Sequence, residues 1–243
     1  MKSDSHFENL DLPSVSIVKT TPKVSQEELF SFKGCYLGIS LDNPIFQGRA
    51  LQALLLWAAK NFDQCLVVIG DYLCRFNSYI FDGLKDDAAI KVAKEAGDSF
   101  VLKTSEIFQQ FPTEKIRLTR WKPCLDSAEY KKSKAIMDAL FASDSGFRAS
   151  VEKDASSFMR RQTRRNQTLA VSREKAIELS CQYLLEEIAV FSALSEQGWK
   201  VELYPGPELH VLVDIAKGKY SRIPPGLKQR INVELLIREN KAD

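Results

Sequence analysis

Short apolar runs and longer amphipathic stretches alternate along this chain. Residues 14–20 alternate in polarity well enough to predict an edge strand. Residues 33–40 centre on Cys35-Tyr36-Leu37-Gly38-Ile39, apolar at both odd and even positions, which predicts a strand buried on both faces. Asn43 then suits a helix cap and Pro44 a first helical residue. Phe46, Leu51, Leu54, Leu55 and Ala58 recur at core spacing, so a helix is expected to run to about Asn61. Gln64 to Asp71 predicts a second buried strand. A strand–helix–strand unit of this length opens a doubly wound sheet. Asp71 falls at the C-terminal end of its strand, where such sheets bind ligands.

The second half continues the alternation. Helices are expected over Asp86 to about Phe111, Ser127 to about Ala142 and Ser145 to about Gln162, with a short strand at 115–121. Ser172 caps a long helix reaching about Gln197, with Lys175 where a capping box has an acid or amide. A strand at 199–204, a short helix at 209–217, a Gly- and Pro-rich loop at 217–228 and a last strand at 231–237 complete the series. The pattern predicts an α/β fold.

Composition narrows the class. At 243 residues, 44% hydrophobic and 27% charged, the chain has the balance of a soluble globular protein. A net charge of +2 does not demand nucleic acid, so any basic face must come from local clustering. The five cysteines form no C-x-x-C pair and there are only two histidines, so Cys/His zinc spacing is missing and core thiols are expected. Residues 1–12 lack a signal-like apolar region, and the apolar stretch 50–59 is far shorter than the roughly 20 residues that span a membrane. A cytoplasmic location is expected.

Three segments carry candidate chemistry. Ser40 lies at a strand-to-helix turn, which exposes its hydroxyl near the free N–H groups of a helix start. The spacing Gly38-x-Ser40-x-x-Asn43 is not the G-x-S-x-G elbow, and His6 and His210 are the only bases for a triad. Alone, Ser40 reads as a turn serine. Tyr183 and Glu187 stand four apart and share a helix face in apolar surroundings, where a carboxylate can hold an ammonium group or move a proton. The plainer alternative is a solvated face with Glu186 and Glu187 both outside. Tyr204-Pro205 ends a strand in a rigid turn. Arg160, Arg161, Arg164 and Arg165 form a helical stripe that suits a phosphate backbone or is simply a solvated face.

Taken together, the strand-Gly38-x-Ser40-x-x-Asn43 entry, the Tyr183-x-x-x-Glu187 helix and the later Tyr204-Pro205 resemble the tRNA-dependent cyclodipeptide synthases over about residues 30–240. The resemblance implies a Rossmann-like three-layer fold with a mostly parallel central sheet and helices on both faces. Residues 14–243 are expected to form a single catalytic domain behind a flexible tail at 1–13. It implies a ping-pong reaction without metal or organic cofactor and with aminoacyl-tRNAs as substrates. The first aminoacyl group moves to Ser40, a second aminoacyl-tRNA extends it to a dipeptidyl-enzyme, and the dipeptide's own amine releases a diketopiperazine.

The same resemblance implies that Tyr183 and Glu187 hold the aminoacyl ammonium and that Tyr204 serves late proton transfer or positioning. Asn43 orients the aminoacyl group, Gly38 leaves room beside the nucleophile, and Val68 lines the first aminoacyl pocket. The stripe from Arg160 to Arg165 meets tRNA. Tyr204-Pro205 matches one branch of the family and Asn43 the other. Two competing readings are a serine hydrolase or acyltransferase, which needs His210 near Ser40, and a non-catalytic tRNA-binding module.

Overall fold

The computed structural model describes residues 11–41, 43–164 and 167–239, with backbone alone at 163 and 164. Its strands are β1 (Ser14–Thr21), β2 (Gly34–Ile39), β3 (Gln64–Ile69), β4 (Ile116–Arg120), β5 (Val201–Tyr204) and β6 (Ile231–Arg238). Its α-helices are α1 (Gln26–Phe30), α2 (Gly48–Asn61), α3 (Arg75–Asn77), α4 (Asp86–Phe108), α5 (Trp121–Asp126), α6 (Ala128–Ser143), α7 (Ser145–Arg164), α8 (Arg173–Glu196), α9 (His210–Ala216) and α10 (Pro225–Gln229).

The strands form one sheet in the order β1-β6-β5-β2-β3-β4. β2 to β6 run parallel, and β1 lies antiparallel on β6 at the edge expected for it. From β2 the chain steps outward to β3 and β4, then returns to the other flank of β2 and steps outward again through β5 and β6. β2 and β5 therefore border the topological switch point, whose carboxyl end is the usual ligand crevice of a Rossmann-like sheet.

Alternation along the central strands builds the layers. Leu37, Ile39, Val67 and Ile69 point to one core, shared with α2 and Phe100 of α4. Tyr36, Leu66 and Val68 point to the other, shared with α6 to α10. The apolar runs at both parities thus mark strands covered on both faces. α8 is apolar nearly all round and packs against α6, α7 and α10, as a helix buried in a layer must. Ser172 caps it, its hydroxyl accepting from the Lys175 amide at 3.2 Å.

Some boundaries differ from the sequence reading. The helix expected from Pro44 to Asn61 is two pieces: a single 3-10 turn at Pro44–Phe46, then α2. Gln47 is extended between them and Gly48 has φ 51°, a left-handed conformation that breaks a continuous helix. Asn43 caps the first piece, its side-chain oxygen accepting from the Ile45 amide at 3.2 Å. The expected loop at 217–228 closes into α10 at Pro225, because a proline at the first helical turn loses no hydrogen bond. Of the expected tail, residues 1–10 lie outside the described residues, and Asp11 pairs with Arg49 at 3.0 Å. Among the described residues no helix is long and apolar enough to cross a membrane.

Candidate active site

Ser40 follows the last residue of β2 directly and is half-buried. Its carbonyl accepts from the Asn43 amide at 3.1 Å, which closes the turn above the strand. Gly38 pairs in register with Val68 of β3, and a Cβ placed on Gly38 meets nothing within 4 Å. Val68 itself is buried. An unfilled space beside a central strand is unusual where interiors are close-packed.

α8 turns two side chains toward this region. The Tyr183 ring stacks on Phe158 at 6.3 Å and meets Phe76 edge-on at 6.1 Å. Its hydroxyl donates to Glu187 Oε1 at 3.5 Å. No Lys or Arg forms an ion pair with Glu187 among the described residues. Burial pushes the Glu187 carboxyl up to about 8, reinforced by the negative charge of Glu202 and opposed by the Tyr183 hydrogen bond. The adjacent Glu186 is buried and satisfied: Arg75 forks onto it, with one nitrogen 2.9 Å away, and the Trp121 indole donates at 3.0 Å. The expectation of two solvated glutamates therefore fails at Glu186, because a cation 111 residues away in the chain claims it.

Tyr204 ends β5 on the other side of the switch point, with the buried Pro205 after it. Its ring lies 6.2 Å from Phe46 of the Ser40 turn. Burial and the negative charges of Glu187 and Glu202 push its hydroxyl up, while a hydrogen bond from Asn43 and the charge of Arg161 draw it down. Asn43, Glu187 and Arg161, from three separate segments, thus act on the Tyr204 hydroxyl. Arg160 is exposed and donates to Ser157 Oγ at 3.1 Å. The Arg164 side chain and Arg165 lie outside the described residues.

Beneath the crevice is a buried ionic cluster that sequence reasoning missed. Glu202 on β5 accepts from Tyr36 Oη at 2.7 Å and from Arg230 Nε, and Arg230 also donates to Glu208 at 2.7 Å. The signal was present: a glutamate inside the apolar strand Val201-Glu202-Leu203 requires a buried partner. Asp71, expected at a ligand-binding strand end, is engaged internally by the Arg120 side chain and the Trp121 amide, the latter at 3.1 Å.

His210 opens α9, with Nε2 3.2 Å from Lys153 Nζ and 3.6 Å from Asp214. It is engaged there and not with Ser40. Among the described residues no cluster of side chains suits a metal ion. The crevice thus gathers a strand-end serine, a tyrosine–glutamate pair and a second strand-end tyrosine at the switch point of a Rossmann-like sheet.

The family comparison makes the assignment specific. The cyclodipeptide synthase model matches residues 25–196, and the chain belongs to that family of tRNA-dependent aminoacyltransferases. Among solved structures, a cyclodipeptide synthase from Fluoribacter dumoffii is similar with TM-score 0.78 and 20% identity over 95% of this chain and 100% of that one. The Mycobacterium tuberculosis protein Rv2275, described as relating cyclodipeptide synthetases to type I tRNA synthetases, is similar with TM-score 0.69 and 14% identity over 96% and 98% of the two chains. The synthase from Candidatus Glomeribacter gigasporarum, solved bound to Phe-tRNAPhe, has TM-score 0.64 and 15% identity over 86% and 88%. No curated protein sequence matches the chain.

Proposed function

We propose that this chain, from residue 14 onward as one catalytic unit, makes a cyclic dipeptide from two aminoacyl-tRNAs through esters on Ser40. The observation that carries the reading is Glu187: a carboxyl in a half-buried crevice, held by Tyr183, with no cation of the described chain to pair it. An aminoacyl ammonium supplies that charge. The open space at Gly38, floored by Val68, takes the side chain of the same amino acid, and Asn43 orients its carbonyl at Ser40.

In the first step Ser40 Oγ bonds to the aminoacyl carbonyl carbon, the bond from that carbon to the ribose oxygen breaks, and the serine proton ends on the ribose oxygen. The exchange of one ester for another is nearly balanced, so a fully ionised serine is not needed. In the second step the amine of the bound residue attacks the carbonyl of the second aminoacyl-tRNA, forming a peptide bond and releasing that tRNA. The new terminal amine then attacks the Ser40 ester, closing the ring and returning the proton to Oγ. Glu187 and Tyr204 relay protons in the amine steps of this scheme. Arg160 and Arg161 meet the tRNA phosphates; the rest of the stripe, the Arg164 side chain and Arg165, lies outside the described residues. Charged tRNA is found in the cytoplasm, which is therefore the proposed location.

The reading is tested by mass spectrometry of culture medium from bacteria expressing the chain beside a Ser40→Ala control. A cyclic dipeptide present only with the intact serine supports it. A product that persists with Ser40→Ala overturns it.

A further inference from the structure

One buried arginine reaches both sides of Tyr204. Arg230 stands just before β6 with its side chain 4% exposed. Its Nε donates to Glu202, two residues before Tyr204 in β5. One of its terminal nitrogens donates to Glu208, four residues after Tyr204, at 2.7 Å. Because the guanidinium is planar and its donors are fixed, the two carboxylates are held at a set separation. Glu202 is tied in turn to the strand that leads to Ser40, since Tyr36 of β2 donates to it at 2.7 Å. The Glu208 side chain is 1% exposed, although residues 205–209 belong to no helix or strand. A loop carboxylate is seldom so buried unless it is paired.

The path of that loop fixes the tyrosine ring. The Gly206 amide donates to the Tyr204 carbonyl at 3.0 Å, which folds the chain back over the residue it has just left. A Cβ placed on Gly206 would lie 3.0 Å from the Tyr204 ring, so backbone and ring touch with no room for a side chain. On the other side the ring meets Phe46, 6.2 Å away. The ring is therefore held between the Ser40 turn and the loop that Glu208 anchors.

We propose that Glu208, through Arg230, is a positioning residue for the Tyr204 hydroxyl, and that it serves the amine steps but not the first acyl transfer. The inference rests on the proposed scheme at Ser40. There the ester exchange uses Ser40 and an ammonium held at Glu187, whereas proton relay in the later steps uses Tyr204. A loosened ring loses the second and keeps the first. A carboxylate with a purely structural role slows both or neither. Removing Glu208 leaves Arg230 paired with Glu202, so no buried cation is stranded.

The test compares Glu208→Ala, Glu208→Gln and Gly206→Ala with the wild type by rapid-quench mass spectrometry. Aminoacyl-enzyme, dipeptidyl-enzyme and cyclic dipeptide are followed separately. Glu208→Ala is expected to form aminoacyl-enzyme at the wild-type rate. It converts that species to cyclic dipeptide about tenfold more slowly, the scale of a displacement well under about 1 Å at a reacting group. Glu208→Gln, whose amide oxygen still accepts from Arg230, is expected to restore the rate. Gly206→Ala, which pushes the ring from the loop side, is expected to share the Glu208→Ala defect, and it carries the comparison if Glu208→Ala does not fold. Without substrate, hydrogen exchange at the Gly206 amide is expected to be about tenfold faster in Glu208→Ala than in the wild type.

Equal slowing of acylation and cyclisation in these variants, or no slowing of either, overturns the proposal. So does a Glu208→Gln enzyme as slow as Glu208→Ala, because the anchoring hydrogen bond is then not what matters. If Ser40 of the wild type is never acylated, the serine reading falls and hydrogen exchange decides the anchor. Faster exchange at Gly206 then supports it, and unchanged exchange overturns it.

Discussion

Glu186 and Glu187 are consecutive in α8, yet Glu186 is clamped by Arg75 and Trp121 while Glu187 meets Tyr183 and forms no ion pair among the described residues, with only the more distant charge of Arg230 acting on it. One helical step of about 100° separates the two fates. Desolvation disfavours a carboxylate that lacks an ion-pair partner, and it pushes the Glu187 carboxyl up to about 8.

The pH dependence follows from the Glu187 carboxyl, pushed up to about 8 from an ordinary value of 4.5. Between those values the folded chain holds a proton that the unfolded chain releases, so this group's stabilising contribution is complete below the lower value and is lost as pH rises through the upper one. Glu187→Gln flattens that slope in denaturant titrations made across the window. For the reaction, kcat/KM of aminoacyl-enzyme formation rises toward pH 8 as Glu187 ionises. Glu187→Gln removes this ascending limb and lowers the rate roughly a hundredfold. An unchanged profile contradicts the assigned role.

Gly38 separates substrate room from fold. A Cβ there meets nothing, so Gly38→Ala keeps stability or gains about 0.5–1 kcal/mol. Gly38→Leu fills the space and sharply lowers aminoacyl-enzyme formation from bulky aminoacyl-tRNAs at unchanged melting behaviour. Wild-type rates with Gly38→Leu place the amino acid elsewhere.

The cluster under the crevice predicts an asymmetric response. Arg230→Leu leaves Glu202 and Glu208 without their shared cation and costs about 3–5 kcal/mol in denaturant unfolding. Adding Glu202→Gln to Arg230→Leu recovers part of that loss, since a neutral amide is easier to bury than a carboxylate. No recovery in the double variant means the loss comes from packing around Phe191, over which the Arg230 guanidinium sits at 5.5 Å.

The arginine stripe predicts a salt effect. Arg160→Ala with Arg161→Ala weakens aminoacyl-tRNA binding and lowers the slope of log affinity against log salt by about one for each phosphate no longer neutralised. An unchanged slope makes the pair a solvated face.

The sheet was legible because its central strands are apolar at both parities and its helices carry clean core spacing, as at Leu51, Leu54, Leu55 and Ala58. The placement of Ser40 and Tyr204 at strand ends and of Tyr183 and Glu187 on one helix was legible from local pattern, whereas their grouping as a site came from the family resemblance alone. The pairings that decide their environment were not. Arg120 reaches back to Asp71, and Arg230 reaches Glu202, over separations that no local pattern encodes. The division between Glu186 and Glu187 is likewise tertiary: both rotamer faces look alike until Arg75 and Trp121 are placed. The break between Phe46 and α2 depends on the left-handed Gly48, which helix spacing alone passes over.

The most direct test of the account is intact-protein mass spectrometry of the purified chain mixed with aminoacyl-tRNA, followed by peptide mapping. The account predicts a gain of one aminoacyl residue on the peptide that contains Ser40, absent in Ser40→Ala and depleted when a second aminoacyl-tRNA is added. A gain on any other residue, or cyclic dipeptide formed by Ser40→Ala, contradicts it.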